Sequence, residues 1–374
     1  MIIGVDIREW QPGRHTGIGR FLEEFLRAAS AARPSDRFLL IGNATCEIRV
    51  QAGNIDVLRI PERWTLWWDQ VTLARALCRN GVDVFYSPYI KMPLFATVPV
   101  VSTLHDLTFI VLEEYNRAPV DRIVHSLLRA LCWLVVRRAA VLLVDSETSA
   151  RDVRRLLGAD RTRLCVIPLA TSPRFRSNGD RRDDADVWER YGLGDSYVLY
   201  VGGFSLHKNV PTLIRAHRAL PASLRVRHPL VLVGGPVPPA IQTLAQNPDG
   251  SDGARCLGVV PDADLPALYR GAALFACPSR YEGFGLPVLE AMSCGVPVLC
   301  STAPALLELG AGAALHVDSK DEGAWESALM SLLEDSGRRE KLAAAGLARA
   351  AAYTPDRMTK EILMALDEAV ACSP

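Results

Sequence analysis

The chain has 374 residues, and its 42 lysines and arginines balance 42 aspartates and glutamates to a formal net charge of zero. This balance argues against a broad nucleic-acid-binding face, although a local basic pocket is still allowed. No stretch reaches the roughly 18 uninterrupted apolar residues of a membrane span, and the start "MIIGVDIREW" lacks the features of a signal peptide. The nine cysteines are scattered without a CxxC pair, which is typical of small core residues in a reducing compartment. We therefore expect a cytoplasmic protein of about two domains with no nucleic-acid partner.

Short apolar runs alternate with helical patterns along the chain. These runs are "MIIGVDI", "RFLLIG", "DVFYSP", "VPVVSTL", "VLLVDS", "SYVLYVG", "PLVLVGG", "ALFACPS" and "GVPVLCS". Such alternation predicts α/β domains on parallel sheets with helices on both faces. The polar stretch 173–190 interrupts the pattern and is predicted to be a linker. We expect two Rossmann-like, doubly wound domains facing each other across a cleft, over residues 1–172 and 191–354, with a final helix over 355–374 packing back on the first domain.

The loop after the first strand, in "QPGRHTGIGRFLEEFLRA", places Gly17 and Gly19 at the start of a predicted helix. The dinucleotide-binding pattern fails because no third glycine follows three residues later. Arg14 and His15 could meet an acceptor phosphate, but we favour a solvated loop for both.

The segment "ERWTLWWDQVTLARALCRNG" is rich in tryptophan. If it is one helix, a single stripe carries Trp64, Trp67, Trp68, Val71 and Cys78. Core packing is the favoured interpretation of this stripe. The alternative is that the tryptophans and Arg63 touch a lipid-linked acceptor at a membrane surface, where aromatic rings are well accommodated.

In "VPVVSTLHDLTF", His105 and Asp106 directly follow a predicted strand. Ligands of doubly wound domains bind beyond the carboxyl ends of the strands, so both residues are expected to face the cleft. A lone His-Asp pair is more often a capping or core feature than a site. Asp106 in particular is expected only to position its loop.

The stretch "YVLYVGGFSLHKNVPTLIRAH" leads from a strand through Gly203 to His207 and Lys208. Asn209 is predicted to cap the following helix, which has Pro211 in its first turn. Lys208 would add its charge to the positive field of that helix start, an arrangement suited to a diphosphate. The alternative is a solvated loop lysine.

Two formal DxD triplets, with aspartates at 184 and 186 and at 262 and 264, would suggest a metal-dependent transferase of another fold. We reject both triplets. The first lies in the predicted linker, and the aspartates of the second are expected to cap a helix. No His/Cys cluster has metal-ligand spacing either, so we predict no metal site.

In "YEGFGLPVLE", Glu282 and Glu290 stand on either side of seven residues that suit an anion. Gly283 and Gly285 allow close backbone approach, and a predicted helix with Pro287 in its first turn offers unpaired N–H groups to a phosphate. The glutamates must then point toward hydrogen-bond donors, such as the hydroxyls of a sugar nucleotide. Alternatively, Glu282 is a surface residue and Glu290 only complements the helix dipole.

"YEGFGLPVLEAMSCGVPVLCS" resembles the glutamate-x7-glutamate signature of the retaining glycosyltransferases of the GT-B fold, in the bacterial group called family 4. The resemblance implies that Lys208 binds the donor diphosphate and stabilises the leaving group. It also implies that His105 and Glu282 contact the transferred sugar and that Glu290 binds the ribose. The other donor-binding residues that it implies are Gly17, Gly203, His207, Val260, Gly283, Phe284, Gly285 and Leu286. Many members have an arginine where His207 stands, so the leaving group is expected to depend more on Lys208.

The combined motifs "TGIGRF", "STLHDL" and "YEGFGLP" most resemble bacterial mannosyltransferases that use GDP-mannose in surface-polysaccharide assembly. We therefore expect a retaining, metal-independent transferase that needs no cofactor and acts on a glycan or polyprenyl-linked glycan. A UDP- or ADP-sugar donor is the alternative, as is a nucleotide-sugar epimerase of similar fold or a non-enzymatic sugar-binding module. The expected location is the cytoplasm. The alternative is peripheral contact with the cytoplasmic face of the inner membrane.

Overall fold

The structure is a computed structural model that describes residues 1–13, 16–62, 64–112, 119–159, 163–246 and 253–372. The chain divides into two compact units: the first consists of Met1–Ser172 and Thr354–Pro374, and the second is Pro173–Tyr353. Arg14, His15 and Arg63, which the sequence offers as acceptor contacts, lie outside the described residues.

The first unit is built on a parallel sheet of seven strands. The strands are β1 (Ile2–Asp6), β2 (Arg37–Gly42), β3 (Ile55–Arg59), β4 (Val84–Ser87), β5 (Val100–Leu104), β6 (Val141–Val144) and β7 (Leu164–Val166). Their order across the sheet is β3-β2-β1-β4-β5-β6-β7. The winding direction therefore reverses between β1 and β4, which is where doubly wound sheets bind ligands.

The helices of this unit that precede the second unit are α1 (Gly17–Ala32), α2 (Thr65–Trp67), α3 (Leu73–Arg79), α4 (Thr108–Val111), α5 (Pro119–Arg138) and α6 (Glu147–Leu157). α1 forms because Thr16 accepts a hydrogen bond from the Gly19 amide at its start, and because Phe21, Phe25 and Ala29 recur on one buried face. The long α5 differs from α1, since much of its apolar surface is exposed.

The second unit has a parallel sheet of six strands in the order β10-β9-β8-β11-β12-β13. The strands are β8 (Tyr197–Val201), β9 (Leu230–Val233), β10 (Arg255–Gly258), β11 (Ala272–Cys277), β12 (Val298–Ser301) and β13 (Leu315–Val317). The helices are α7 (Arg181–Arg190), α8 (Val210–Ala219), α9 (Ala222–Arg227), α10 (Pro239–Ala245), α11 (Leu265–Arg270), α12 (Leu286–Ser293), α13 (Pro304–Leu309), α14 (Glu322–Glu334) and α15 (Ser336–Ala350). The winding direction reverses between β8 and β11.

The last helix, α16 (Pro355–Ala371), belongs to the first unit although it follows the second in sequence. It packs against α1 and the strands β4, β5 and β6. Met358, Ile362 and Leu366 are buried on its inner face, and Arg33 pairs with Asp367 at 2.5 Å. The helix thereby covers one side of the first sheet.

The stretch 173–190 does not form a simple linker. Its second half is α7, which is part of the second unit. Trp188 donates a hydrogen bond to the Ala267 carbonyl at 2.8 Å, and Asp184 binds the Arg270 guanidinium. The polar composition that suggests a linker thus comes from a helix whose acidic residue is paired with an arginine of α11.

The tryptophan segment is not one regular helix, because α2 passes into a π-helix over Trp68–Thr72 before α3 begins. A wider π turn changes the angular positions of the residues that follow it, so the predicted stripe does not share one face. Trp68 is buried, whereas Trp64 is 78% and Trp67 is 59% exposed. Cys78 is exposed as well, so the core-packing interpretation is wrong for Trp64, Trp67 and Cys78.

Candidate active site

Lys208 and Glu282 meet where the second sheet reverses its winding direction. Lys208 ends a short 3-10 helix, Leu206–Lys208, in the loop after β8, and Glu282 lies in the loop after β11. The lysine Nζ lies 2.7 Å from Oε1 and 2.9 Å from Oε2 of the glutamate. The side chains are 21% and 13% exposed, so a polar ligand can still reach both.

The environment keeps Glu282 ionised at neutral pH. Burial alone would raise the pKa of this carboxyl, but the charge and hydrogen bonds of Lys208, together with a hydrogen bond from Ser279, hold the pKa below its ordinary value. An ionised carboxylate only accepts hydrogen bonds. The pair therefore offers one cation, suited to phosphate, and one acceptor, suited to hydroxyl groups.

The loop that carries His207 is tied to the loop that carries Glu282. The Arg280 amide donates to the His207 carbonyl at 2.7 Å. Asn209 stands at the start of α8 in the left-handed conformation, with φ of 53°, but its side chain does not cap the helix. It donates instead to the carbonyls of Pro278 and Ser319. The side-chain cap predicted for Asn209 is wrong, because its Oδ1 accepts from the Thr212 hydroxyl at 3.1 Å and not from a backbone amide, while its Nδ2 holds the loops together.

The predicted anion loop runs from Glu282 into α12. Gly285 stands at the start of that helix with φ of 108°, and a Cβ there would lie 2.6 Å from Leu306 Cδ2. Only glycine satisfies both conditions. Gly283 and Phe284 are buried and Leu286 is half-buried. Pro287 has no N–H, and the Val288 and Leu289 amides both donate to the Gly285 carbonyl, so in the first turn of α12 it is the Leu286 amide that has no acceptor within the helix. The helix start is thus formed as the sequence predicts, with Pro287 in the first turn.

Glu290 is buried, with 1% of the residue exposed. It lies in the second turn of α12, and the Tyr269 hydroxyl donates to its Oε2 at 2.8 Å. Tyr269 itself is fully buried on α11. The sequence predicts a ribose-binding role for Glu290 but does not reveal the tyrosine that holds it, since Tyr269 stands in an ordinary apolar helix pattern.

Two other predicted donor contacts lie in loops of this unit. A Cβ placed on Gly203 would meet nothing within 4 Å, so the loop after β8 is open at this point. Val260, between β10 and α11, is only 5% exposed, whereas its neighbour Val259 is 67% exposed. The exposed apolar side chain of this loop is therefore that of Val259.

In the first unit, His105 follows β5 and both of its ring nitrogens have partners. Nδ1 lies 2.7 Å from the Asp145 carboxylate, and Nε2 lies 2.8 Å from the Pro88 carbonyl. The edge of Phe21, on α1, packs on the imidazole with ring centroids 5.5 Å apart. Gly17 is the first residue of the same helix. Asp106 accepts from the Thr108 amide at 3.0 Å, which is the loop-positioning role expected for it.

Three of the four DxD aspartates, Asp184, Asp262 and Asp264, contact arginines. Asp184 binds Arg270, and Asp264 lies 2.9 Å from Arg190. Asp264 stands at the start of α11 but makes no side-chain cap there, so the predicted capping role is wrong for it. Among the residues that the structure describes, no group of three or more His, Cys, Asp or Glu side chains could hold a metal ion.

The structure thus brings Lys208, Glu282 and His207 together. Glu290 lies in the second turn of α12, the helix that follows the Glu282 loop. The sequence does not reveal that Lys208 and Glu282 form an ion pair, or that Asp145 is the partner of His105. Both contacts join loops that are far apart in the chain. The one sequence signal for each contact is that its two residues follow the ends of strands that belong to one sheet.

Comparison with known proteins identifies the family of the chain. The family model described as Glycosyltransferase Family 4 matches residues 17–174, and the one described as Glycosyl transferases group 1 matches residues 189–349. The chain is 34% identical over 372 residues to the O-antigen chain mannosyltransferase B of Escherichia coli, covering 94% of this chain and 95% of that protein.

Solved structures show the same fold. A sucrose-phosphate synthase from Thermosynechococcus elongatus matches with a TM-score of 0.80 and 20% identity over 100% of both chains. HepE from Anabaena, in complex with UDP and glucose, matches with a TM-score of 0.72 and 19% identity over 98% of this chain and 99% of that one. The two parallel-sheet units, the glutamate motif and the relative that matches 94% of this chain all indicate the same family. The chain belongs to the family 4, or group 1, glycosyltransferases and has their GT-B fold.

Proposed function

We propose that this transferase moves mannose from GDP-mannose to a glycan or polyprenyl-linked glycan in bacterial surface polysaccharide synthesis, with retention at the anomeric carbon. The observation that carries the proposal is the Lys208–Glu282 pair beside the start of α12. The choice of mannose is supported by the 34% identity to O-antigen chain mannosyltransferase B over nearly the whole chain. A UDP- or ADP-sugar is the second candidate, because the diphosphate that Lys208 would bind is common to all these donors.

Catalysis on this proposal is electrostatic and positional. Departure of the nucleoside diphosphate develops negative charge on its oxygens and positive charge at the sugar's C1. Lys208 and the backbone amides from Gly283 to Leu286 donate to the departing diphosphate, with His207 as an additional donor. Ionised Glu282 accepts from the sugar hydroxyls. The family resemblance implies that His105 is also a contact of the transferred sugar. Glu290, held by Tyr269, accepts from the ribose.

The acceptor attacks from the face that the diphosphate leaves. The bond between C1 and the phosphate oxygen breaks, a bond from the acceptor oxygen to C1 forms, and the acceptor's proton passes to the departing phosphate. Because Lys208 supplies a positive charge and the backbone amides supply hydrogen-bond donors, the proposed reaction needs no metal ion and no cofactor.

Nucleotide binding and turnover test the donor. The melting temperature should rise more with GDP than with UDP or ADP, because only the nucleotide that binds the folded protein stabilises it. Incubation with GDP-mannose and a mannose-containing oligosaccharide should give an α-linked product by NMR, at a rate that EDTA does not change. Stabilisation by UDP alone would exclude guanine, a β-linked product would exclude retention, and loss of activity in EDTA would exclude metal independence.

We propose that the acceptor contacts the exposed tryptophans after β3. A cavity of about 480 Å³ is lined by Pro61, Trp64, Trp67, Trp68 and Thr72. Aromatic faces of this kind suit the C–H face of a sugar ring or a prenyl chain. Replacing Trp64 and Trp67 with alanine should raise KM for the acceptor without changing KM for the donor. Trp133→Ala, at an exposed tryptophan of α5, is the matched control, and an equal effect from it would contradict the assignment.

We further propose peripheral membrane contact through the exposed face of α5. Ile123, Leu127 and Leu134 lie at helical spacing and are 64%, 66% and 38% exposed, and Arg122 and Arg129 are exposed on the same helix. An apolar stripe flanked by arginines suits an anionic bilayer surface. No helix among the described residues is long and apolar enough to cross a membrane.

Sedimentation with lipid vesicles tests this contact. The protein should sediment with vesicles that contain phosphatidylglycerol and much less with pure phosphatidylcholine. The double variant Ile123→Asp, Leu127→Asp should lose this binding. Val226→Asp, at an apolar residue of α9 that is 73% exposed, should keep it. Equal binding by parent and double variant would rule the α5 face out.

A further inference from the structure

The sheet of the first unit brings Asp145 to His105 by strand register. β5 and β6 are parallel neighbours in which Leu104 pairs with Val144. The next residue along each strand is His105 and Asp145, so the two side chains meet as the strands end. Asp145 then directly precedes Ser146, the residue that caps α6. The contact is thus built into the sheet rather than made by a long loop.

Both ring nitrogens of His105 face acceptors. The Pro88 carbonyl, 2.8 Å from Nε2, can only accept, so Nε2 carries a hydrogen. The Asp145 carboxylate, 2.7 Å from Nδ1, also accepts when it is ionised, so Nδ1 carries a hydrogen as well. An imidazole with hydrogens on both nitrogens is a cation.

The surroundings favour this protonation state. The side chain of Asp145 is only 3% exposed and that of His105 is 14% exposed. Burial alone would lower the pKa of His105, but the charge and hydrogen bond of Asp145, the Pro88 carbonyl and the charge of Asp106 outweigh burial and raise the pKa. Burial raises the pKa of Asp145 above its ordinary value, while the charge and hydrogen bond of His105 and the nearby start of α6 favour the ionised carboxylate. The Phe21 ring, which also packs on the imidazole, carries no charge that would change the pKa of His105.

We propose that Asp145 is a positioning residue for the transfer reaction, which holds the His105 ring in one orientation and in its cationic form. Both N–H groups of the ring are donated to Asp145 and Pro88, so the cationic ring acts on the donor substrate through its positive charge, which attracts phosphate and sugar oxygens, and not through a further hydrogen bond. The inference rests on the proposed function in one respect, because that function identifies the donor substrate as the molecule that His105 contacts. The hydrogen bond between His105 and Asp145 and the protonation state of His105 are properties of the first unit alone.

Histidine NMR titration and activity profiles of three proteins test the inference. In the parent, the His105 imidazole, assigned by comparison with His105→Gln, should titrate above the ordinary histidine pKa. In Asp145→Asn, which keeps a side-chain oxygen but lacks the charge, the pKa should fall. Asp106→Asn removes a charge from the same loop but no bond to the ring, so it should shift the pKa less. Each unit of lowered pKa reduces the cationic fraction about tenfold at pH values above it.

The activity of these variants should follow the order of their His105 pKa values. In the parent, kcat/KM for the donor should decline as the pH rises through the His105 pKa. In Asp145→Asn this decline should move to lower pH, and Asp145→Glu should partly restore it. A His105 that titrates at its ordinary value in the parent, or one unchanged in Asp145→Asn, would overturn the inference. So would an equal loss of activity at every pH, which is the mark of a purely structural role.

The same measurements separate this inference from the proposed function. If the parent turns over no nucleotide-sugar while His105 titrates high and responds to Asp145→Asn, the proposed function fails and the claim about the His105–Asp145 pair is supported.

Discussion

The ion pair of Lys208 with Glu282 couples the chemistry of the second unit to its stability. Glu282 is 13% exposed at its side chain, so its charge is poorly hydrated when the lysine is removed. Replacing one partner therefore has two consequences, one for the leaving group and one for the fold. The two can be separated only by changing both residues together.

Lys208→Ala should lower kcat by roughly 10²- to 10³-fold, the usual effect of removing one group that stabilises developing charge. It should also lower the free energy of unfolding by about 1–3 kcal/mol, because Glu282 keeps a charge without its lysine. Adding Glu282→Gln to this variant should restore much of the stability but none of the activity, as measured by urea unfolding and donor turnover. Near-parental turnover by the double variant would contradict the role of the pair.

The lowered pKa of Glu282 gives this pair a defined pH dependence. A carboxyl whose pKa is lower in the folded than in the unfolded state contributes stability above its unfolded pKa, and this contribution disappears as the pH falls through the folded pKa. Urea unfolding between pH 7 and pH 3 should therefore show a larger loss of stability in the parent than in Glu282→Gln. Parallel curves for the two proteins would show that Glu282 gains nothing from its partner.

Tyr269→Phe should weaken nucleotide binding by removing the hydroxyl that holds Glu290. The free energy of unfolding should also fall by about 1–3 kcal/mol, because a buried carboxylate loses a donor. Tyr197→Phe is the matched control, since the Tyr197 hydroxyl is also buried but donates to the Leu268 carbonyl. Calorimetric titration with GDP should show weaker binding only for Tyr269→Phe, and equal affinities in both variants would argue against Glu290 as a nucleotide contact.

Among the elements, α12 begins with a backbone conformation that favours glycine. Gly285→Ala places a Cβ at a φ of 108° and 2.6 Å from Leu306 Cδ2, so the backbone is strained and the leucine side chain must move. We expect a loss of about 1–3 kcal/mol in the free energy of unfolding together with weaker nucleotide binding. Gly203→Ala, where a Cβ meets nothing within 4 Å, should leave the melting temperature nearly unchanged. Similar melting temperatures for the two variants would contradict the strain at Gly285.

Strands were predictable where they are buried on both faces. Each of the nine apolar runs in the sequence contains a strand, because central parallel strands lie between two layers of helices. The remaining strands, β3, β7, β10 and β13, lie at the sheet edges. β3 alternates little and is largely exposed, with the sequence "IDVLR". Edge strands therefore lack the continuous apolar pattern by which the central ones are found.

For the whole molecule, α16 makes the first unit depend on the last residues of the chain. Leu366 is fully buried on this helix, whereas Met364 is 58% exposed. Leu366→Ala should lower the free energy of unfolding of the first unit by about 2–5 kcal/mol, the usual cost of such a cavity. Met364→Ala should change it little.

Calorimetry in the presence of GDP can assign that effect to a unit. If GDP binds the second unit, it should raise the transition of that unit and leave the one lowered by Leu366→Ala in place. A Leu366→Ala protein in which only the GDP-sensitive transition falls would contradict the assignment of α16 to the first unit.

The sequence by itself determined the two α/β domains, the position of the central strands and the glycine-punctuated start of α12. These are local patterns of apolar residues, glycines and prolines, and a chain encodes them within a few neighbouring positions. Lys208, Glu282 and His105 were selected as site residues through the resemblance to a known family. Only the tertiary structure decided the contacts of those residues. Lys208 meets Glu282, and His105 meets Asp145, because parallel strands end side by side at one edge of a sheet. Neither contact corresponds to a fixed spacing in the sequence, because the order of the strands in the sheet brings the residues together and they are far apart along the chain.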